Sequence, residues 1–579
     1  MKSIINVIDI ETFGSEDLTP YCCCLILRGK KVNSYGLNCI NNILNYIYSL
    51  KIENVLIFAH NLTFDGSLIL SKLDSSWEVL AWRTVIRKGG IYSLCIKKED
   101  YHIVFRCSSK LLPLELSEIA IRLKISHKMS LDHKSITIEN YNDACLKNKV
   151  TQYCERDTEI VNQFMVKLSL SLNKYIKDWY ANCYSISGIA YSIYKNYFNK
   201  FNIKLKLDYE TDKSIRNSYY GGRCEVFGNP YDDDFIFHFD FTGMYSNRLK
   251  EDFPIGDPTK IDRPLCTNEP GFYFIKVKSD INLPILPYRC EVTGKLLFPN
   301  GVFSGIYWYE EISLFLQEGG EIIEIYWGMV YENVSKIFID FAEHCIANRG
   351  NSLIDKILWK MIPNSFIGRL GLRNDNEKTI IIDDKDYNPK FLDVISDKKI
   401  NNKWIVRIKE ENTKRTLSNV TYASIVTSKS RVIWWKHANK IIKDGGRILY
   451  CDTDSLFIAF KTNKIGSRWG EVYLDESKDD TVIKRACFAC SKAYSIVLNK
   501  NNITKIKGIP QKDTNKMTFE EFENLFRSDK NQKIRMDLFR KKNLKIRIEE
   551  IFKVVRLSQY DKRIFTNDKR ETKPLYIYV

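Results

Sequence analysis

The residues best able to do chemistry are acids, and they fall into two groups. The stretch Leu449-Tyr450-Cys451-Asp452-Thr453-Asp454-Ser455-Leu456-Phe457-Ile458 carries two carboxylates one residue apart between apolar β-formers. It predicts a β-hairpin with Asp452 and Asp454 at its tip. Their mutual repulsion is relieved by a divalent cation, and Mg²⁺ prefers such oxygen ligands together with substrate phosphates. Asp240 ends the strand-like run Phe235-Ile236-Phe237-His238-Phe239 and can join Asp454 in one metal pair. Far upstream, Ile4 to Thr12 reads as a buried strand presenting Asp9 and Glu11 on one face, at period two. Asp65 opens a helix after the strand Val55 to His60, and Tyr153 and Asp157 share one face of a helix over 147–170. Acids on separate elements, Asp9, Glu11, Asp65 and Asp157, suit two cations about 3.5–4 Å apart. One ion would generate a hydroxide and the other would stabilise the leaving oxygen of a phosphodiester. Taken singly, each acid reads as a strand end, a helix face or a solvent-facing turn.

Other elements must bring these groups together. The pair Gly221-Gly222 lets the backbone approach a ligand closely, and Tyr219 and Arg223 beside it supply stacking and charge. Residues 334–366 read as helical, which puts Lys360 and Asn364 on one face, with Pro363 as a kink. Arg349, upstream, is a candidate phosphate contact or an ordinary solvated residue. Short strands and turns fill 261–334. Thr379 to Ile382 and Trp404 to Ile408 read as a protruding hairpin around a charged loop, and Tyr422 to Lys443 as a helix. Thr518 and Glu521 form a capping box. From Arg527 to Arg556, 11 Lys/Arg stand against 4 Asp/Glu, a basic face suited to duplex phosphates.

At 579 residues the chain holds several domains. A net charge of +17 with 13% aromatic residues suits a partner with phosphates and stackable bases. The 16 cysteines include the run Cys22-Cys23-Cys24 and one Cys-x-x-Cys, Cys487/Cys490, without a second pair. They read as structural thiols of a reducing compartment. With no signal peptide and no membrane-length apolar run, the expectation is a soluble, cytosolic protein.

In their order and flanks, Asp9-x-Glu11, Asn61-x-x-Phe64-Asp65 and Tyr153-x-x-x-Asp157 resemble the three motifs of DnaQ-like 3′–5′ proofreading exonucleases. Further segments resemble protein-primed family B DNA polymerases. Ser108-Ser109-Lys110-Leu111-Leu112-Pro113 is similar to the segment whose Ser contacts single-stranded DNA, with Ser109 in place of Leu. Asp132-His133-Lys134 is similar to the segment that supplies a catalytic lysine, here Lys134. Tyr219-Tyr220-Gly221-Gly222 resembles the Tyr-x-Gly-Gly motif that contacts the template. Asp240 to Ser246 resembles Asp-x-x-Ser-Leu-Tyr-Pro, keeping Asp240 and Tyr245 but carrying Gly243, Met244 and Ser246. Lys360 to Gly368 resembles Lys-x-x-x-Asn-Ser-x-Tyr-Gly, with Ile367 in place of Tyr, and Lys492-Ala493-Tyr494 resembles Lys-x-Tyr.

The resemblance implies an α/β and α+β multidomain chain. An RNase H-like exonuclease domain (1–175) precedes a right-hand polymerase: palm (176–260 and 419–510), fingers (336–370) and thumb (511–579). Two insertions follow the branch: a terminal-protein-docking segment (261–335) and a β-hairpin that assists strand displacement (371–418). It further implies that Asp240, Asp454 and the Phe241 carbonyl hold two Mg²⁺, with Mn²⁺ as a substitute, while Asp452 tunes the site. Lys360, Asn364, Arg349 and Tyr245 face the dNTP, Tyr245 as steric gate. Asn61, Phe64 and Ser108 hold single-stranded DNA, and Lys492 and Tyr494 the primer terminus. Implied partners are template-primer DNA, dNTPs and a separate terminal protein, around a monomer in the host cytoplasm of a virus or linear plasmid. A nucleic-acid-primed repair polymerase, or a nuclease with an inactive polymerase half, are the alternatives.

Overall fold

The computed structural model describes residues 5–13, 18–87, 90–125, 128–177, 179–350, 352–373, 377–389, 393–400, 403–409, 418–462, 468–469, 472–474, 483–499, 501–528, 530–542, 545–557 and 562–579. Its largest sheet begins at the N-terminus. The strand Val7–Thr12 lies antiparallel to Pro20–Leu27 and parallel to Asn54–Ala59, which is itself parallel to Tyr101–Cys107. Val7–Thr12 is buried on both faces, as suits a strand inside a mixed sheet covered by helices. Ile8 and Ile10 pack toward helices Cys39–Ser49 and Leu62–Lys72. Val7, on the face that Asp9 and Glu11 share, packs toward the long helix Ala144–Leu172. The expected elements over 4–12, 55–60 and 147–170 thus appear with small shifts of their ends.

A second sheet has the order Arg468–Trp469, Val472–Leu474, Phe235–Phe241, Ser455–Phe460, Arg447–Asp452, Cys224–Val226. Its apolar face, Phe239, Phe241, Ile448, Leu456 and Ile458, packs against Trp434, Trp435, Ala438 and Ile441 of helix Val420–Lys443. The region expected to be helical over 334–366 is divided. A strand Asn333–Ser335 and a helix Ile339–Ala347 precede the helix Leu353–Leu370, which continues through Pro363. Ile367 is 4% exposed in the largest core, so its side chain faces inward while Lys360, Asn364 and Gly368 form the exposed stripe.

Two expectations, about the second insertion and about the thumb, need correction. The segment 371–418 is not a protruding hairpin. Val394–Ile400 adds a third strand, and Glu377–Asp383 pairs with Val85–Arg87, so the unit extends the N-terminal sheet. Ile381 and Ile405 explain this: both sink into that sheet's core. Nor does all of 511–579 stay together. After the hairpin Gln532–Lys542/Lys545–Val555, the chain returns, and Tyr576–Tyr578 joins Asn300–Trp308 in parallel. It becomes the edge strand of the five-stranded sheet Thr259–Asp262, Glu321–Val330, Gly271–Ser279, Asn300–Trp308, Tyr576–Tyr578. Gly301 permits that pairing. Its φ is +103°, and a Cβ there would strike the Ile577 carbonyl oxygen. Gly301→Ala is therefore expected to cost about 1–3 kcal/mol. Thermal melting and limited proteolysis check this; an unchanged melt with a protected C-terminal segment would contradict the pairing.

Candidate active sites

The hairpin predicted at Asp452 and Asp454 is formed by Arg447–Asp452 and Ser455–Phe460. Its turn is held from outside. Thr453 has φ +65°, and its N–H donates to the Arg223 carbonyl at 2.8 Å. Gly222 lies so close that a Cβ would stand 2.6 Å from Thr453 Cγ2. The glycine pair thus serves the acid turn: Gly222 packs on it, while Gly221 has open space around it. Asp240 pairs in register with Ser455, and the Phe241 N–H donates to the Asp454 carbonyl at 2.7 Å. Asp240, on its strand, therefore stands beside the turn residue Asp454, one step out of register. Burial raises the Asp454 pKa and the Asp452 charge adds to it, while the Lys360 ammonium opposes both. Across the groove, Lys492 Nζ lies 3.6 Å from Asp452 Oδ1, and the Lys492 N–H donates to the Tyr450 hydroxyl at 3.0 Å. Tyr494 lines the same groove with Lys505 over its ring. Tyr245, on the helix Met244–Arg248, has its hydroxyl pushed up to about 12, mainly by burial; Arg431, Tyr219, Asp454 and Asp452 also act on it. Arg349 sits half buried in the turn Asn348–Gly350 and donates to Ser246 Oγ at 3.4 Å, beside that helix. Tyr219 packs on Gly371, past the end of the Lys360 helix.

The N-terminal acids form a buried cage. Glu11, Asp65 and Asp157 are 7%, 2% and 3% exposed. Burial, then the Asp157 charge, pushes Asp9 up to about 7. Burial and neighbouring carboxylates likewise raise Glu11 and Asp65, and burial raises Asp157 against the pull of Lys128. Asp65 lies in the first turn of Leu62–Lys72 and accepts the Ile10 N–H. Asn61 stands at the N-terminal end of that helix with φ +65° and no side-chain capping hydrogen bond, and Phe64 is half buried beside it. Lys128 Nζ donates to Asp157 Oδ2 at 2.7 Å and stands 5.3 Å from the Tyr153 ring. Asp157 Oδ1 is buried with no protein partner among the described residues. Four carboxylates with one orphaned oxygen fit hard divalent cations.

Two expected DNA contacts are interior residues instead. Ser108 is fully buried, donating to the Ala59 carbonyl and meeting His60 Nδ1 at 2.9 Å. Arg223 is 2% exposed. It donates Nε and Nη2 to Glu225 Oε2 at 2.9 and 2.8 Å and Nη1 to the Pro284 carbonyl, over the rings of Phe298 and Trp434. The Lys134 side chain lies outside the described residues. Reading by sequence missed Lys128 and His133, whose Nδ1 is 3.7 Å from Glu11 Oε2. It also missed Arg431, which donates to both Glu311 oxygens at 2.7 and 2.8 Å and to the Tyr220 and Gly221 carbonyls. A cation amid the apolar run of helix Val420–Lys443 was the available signal, since a buried charge needs a partner.

Known proteins resemble this chain along most of its length. A "Probable DNA polymerase" of Podospora anserina is 26% identical over 435 residues, 66% of this chain and 34% of that protein. One of Neurospora intermedia is 24% identical, over 72% of this chain and 49% of that protein. The chain thus spans a third to a half of these fungal relatives. The DNA polymerase of Streptococcus phage Cp-1 is 21% identical, over 78% of this chain and 81% of its own. The solved structure of phi29 DNA polymerase, complexed with primer-template DNA and incoming nucleotide substrates, shares the fold. Its TM-score is 0.73 at 16% identity, over 96% of this chain and 99% of that one. The model of DNA polymerase type B, organellar and viral, matches residues 137–444, more than half of the chain, and the chain belongs to that family.

Proposed function

We propose that the chain is a DNA-directed DNA polymerase with a 3′–5′ exonuclease, and that it starts synthesis on a terminal protein. The observation that carries the reading is the meeting of Asp240 with the Asp452/Asp454 turn, within reach of the Lys360 charge. The relatives named DNA polymerase and the phi29 fold support it. The N-terminal strands support the RNase H-like exonuclease: three antiparallel strands followed by two parallel ones, with the acids at the centre. Among the described residues no helix is long and apolar enough to cross a membrane.

Asp240, Asp454 and the Phe241 carbonyl would hold two Mg²⁺, or Mn²⁺, at the synthetic site; Asp9, Glu11, Asp65 and Asp157 would hold two at the degradative one. When bound, such ions lower the pKa of the attacking oxygen and neutralise the leaving one. The protein's own groups do the rest. Lys360 faces the triphosphate oxygens and is placed to protonate pyrophosphate. Asn364 lies one turn further on the same exposed face, and Arg349 supplies a second cation beside the Tyr245 helix. The Tyr245 ring excludes a 2′-hydroxyl. Asp452 orients Lys492, which with Tyr494 holds the primer end. A frayed end passes to Asn61 and Phe64, the latter stacking on a base. Tyr153 and Lys128 fix Asp157 for hydrolysis. By the same resemblance, 261–335 receives the terminal protein, and 371–418, seated on the N-terminal sheet, assists strand displacement.

In a templated assay, Asp454→Asn is expected to lower nucleotide incorporation about 100-fold or more while single strands are still degraded. Asp9→Asn with Glu11→Gln reverses this; loss of both activities in either variant would refute two separate sites. Tyr245→Val is expected to raise ribonucleotide incorporation, read from primer extension with each sugar. Asp9 is held above its unfolded pKa, so the native state keeps a proton that the unfolded chain has lost. With a chelator present, stability should therefore fall from about pH 4 to about pH 7, the window between the unfolded and folded values. Melting curves of Asp9→Asn should show a shallower fall, and equal slopes would remove Asp9 from the cage.

A further inference from the structure

One cluster inside the N-terminal cage has no role in phosphodiester chemistry. Cys154, the residue after Tyr153, is fully buried with Sγ 3.5 Å from the Asp9 carbonyl and 3.7 Å from Asp9 Oδ2. Its sulfur and one oxygen each of Asp9 and Glu11 lie within 4.8 Å of one another. A second thiol adjoins them. Cys22 is paired directly across from Glu11, is 1% exposed and shares a hydrogen bond with Cys154. The orphaned, buried Asp157 Oδ1 belongs to a carboxylate whose charge acts on both Asp9 and Glu11. One thiol and two carboxylates in mutual reach, with the Cys22 thiol adjoining, make a donor set for a borderline-soft ion, and Mg²⁺ has no use for sulfur. The donors of a tetrahedral Zn²⁺ lie about 3.3–3.8 Å apart, and the 3.7 Å from Cys154 Sγ to Asp9 Oδ2 falls in that range.

We propose that Cys154, with Cys22, Asp9 and Glu11, forms a Zn²⁺-type site overlapping the degradative cage, so that a thiophilic ion silences degradation and spares synthesis. Binding places the ion where the thiol protons were, and those protons leave to solvent. The ion claims Asp9 and Glu11, and the hard cations lose both ligands. At the Asp240/Asp454 site, Cys224 is paired across from Asp452 with its Sγ 3.6 Å from the Tyr450 hydroxyl, and Cys451 lies on the opposite side of the strand from the turn's groove, so that site offers one thiol where the N-terminal cage offers two. The activity arm rests on the exonuclease reading; the binding arm does not.

The test uses Co²⁺ as a visible stand-in for Zn²⁺. Added to the metal-free full chain, Co²⁺ is expected to give a sulfur-to-cobalt charge-transfer band that is lost in Cys154→Ser and Cys154→Ala. In Mg²⁺ buffer, Zn²⁺ is expected to halve single-strand degradation at a concentration at least tenfold lower in the wild type than in either variant. Primer extension, unchanged in all three, reports that the variants are folded. A band that survives in both variants, or equal Zn²⁺ sensitivity, overturns the site. A chain that degrades nothing in Mg²⁺ overturns the exonuclease reading, while the spectrum still decides the metal site.

Discussion

Carboxylates that repel one another are held at fixed positions in two places, and much of the architecture serves that constraint. In the N-terminal sheet, Asp9 and Glu11 ride on a strand paired residue by residue with Pro20–Leu27 and anchored at Val7 to Asn54–Ala59, so they cannot swing apart. The long helix brings Asp157 over them, and burial removes the water that would soften the repulsion. Lys128 opposes part of that charge. At the second site the acids sit on a turn open to a groove, with Lys360 and Lys492 as counter-charges. The buried cage is therefore under more electrostatic tension than the open turn, and its acids are held further toward the protonated form.

The open turn is fixed by a relay of buried ion pairs. Glu311, on the helix Tyr309–Gln317, holds Arg431; Arg431 holds the carbonyls of Tyr220 and Gly221; the next two residues pack on and accept from Thr453. Arg223 with Glu225 anchors the same loop from beneath. Such pairs contribute little net stability against apolar replacements, because desolvating both charges is costly. Their value here is positional: an arginine fork accepts few alternative geometries. Ser428 donating to Glu311 and Lys429 reaching Glu310 tie the 261–335 region to the helix Val420–Lys443 through the same patch.

Local pattern made the acid-bearing elements legible. Alternating apolar residues placed the Asp9 strand, turn residues placed the Asp452 hairpin, and four-residue spacing put Lys360 and Asn364 on one exposed face. What failed was the inference from motif to exposure. Ser108 and Arg223 occupy motif positions, yet His60 and Glu225 claim them, and neither partner is visible in a linear reading. The charged loop after Ile382 hid the strand Val394–Ile400 because its alternation is interrupted by Asp397, Lys398 and Lys399. Nothing local in Tyr576-Ile577-Tyr578 announces a parallel partner at Asn300; such pairing is decided by the whole fold.

That pairing carries a kinetic consequence. Tyr576 donates its hydroxyl to Asp280, 296 positions earlier, and no short-range contact can stand in for it. Closing so long a loop is entropically unfavourable until nearly everything between has found its place. The outer edge of Asn300–Trp308 must therefore wait, unpaired, through most of folding. During that interval it is the stretch most open to association with a foreign strand.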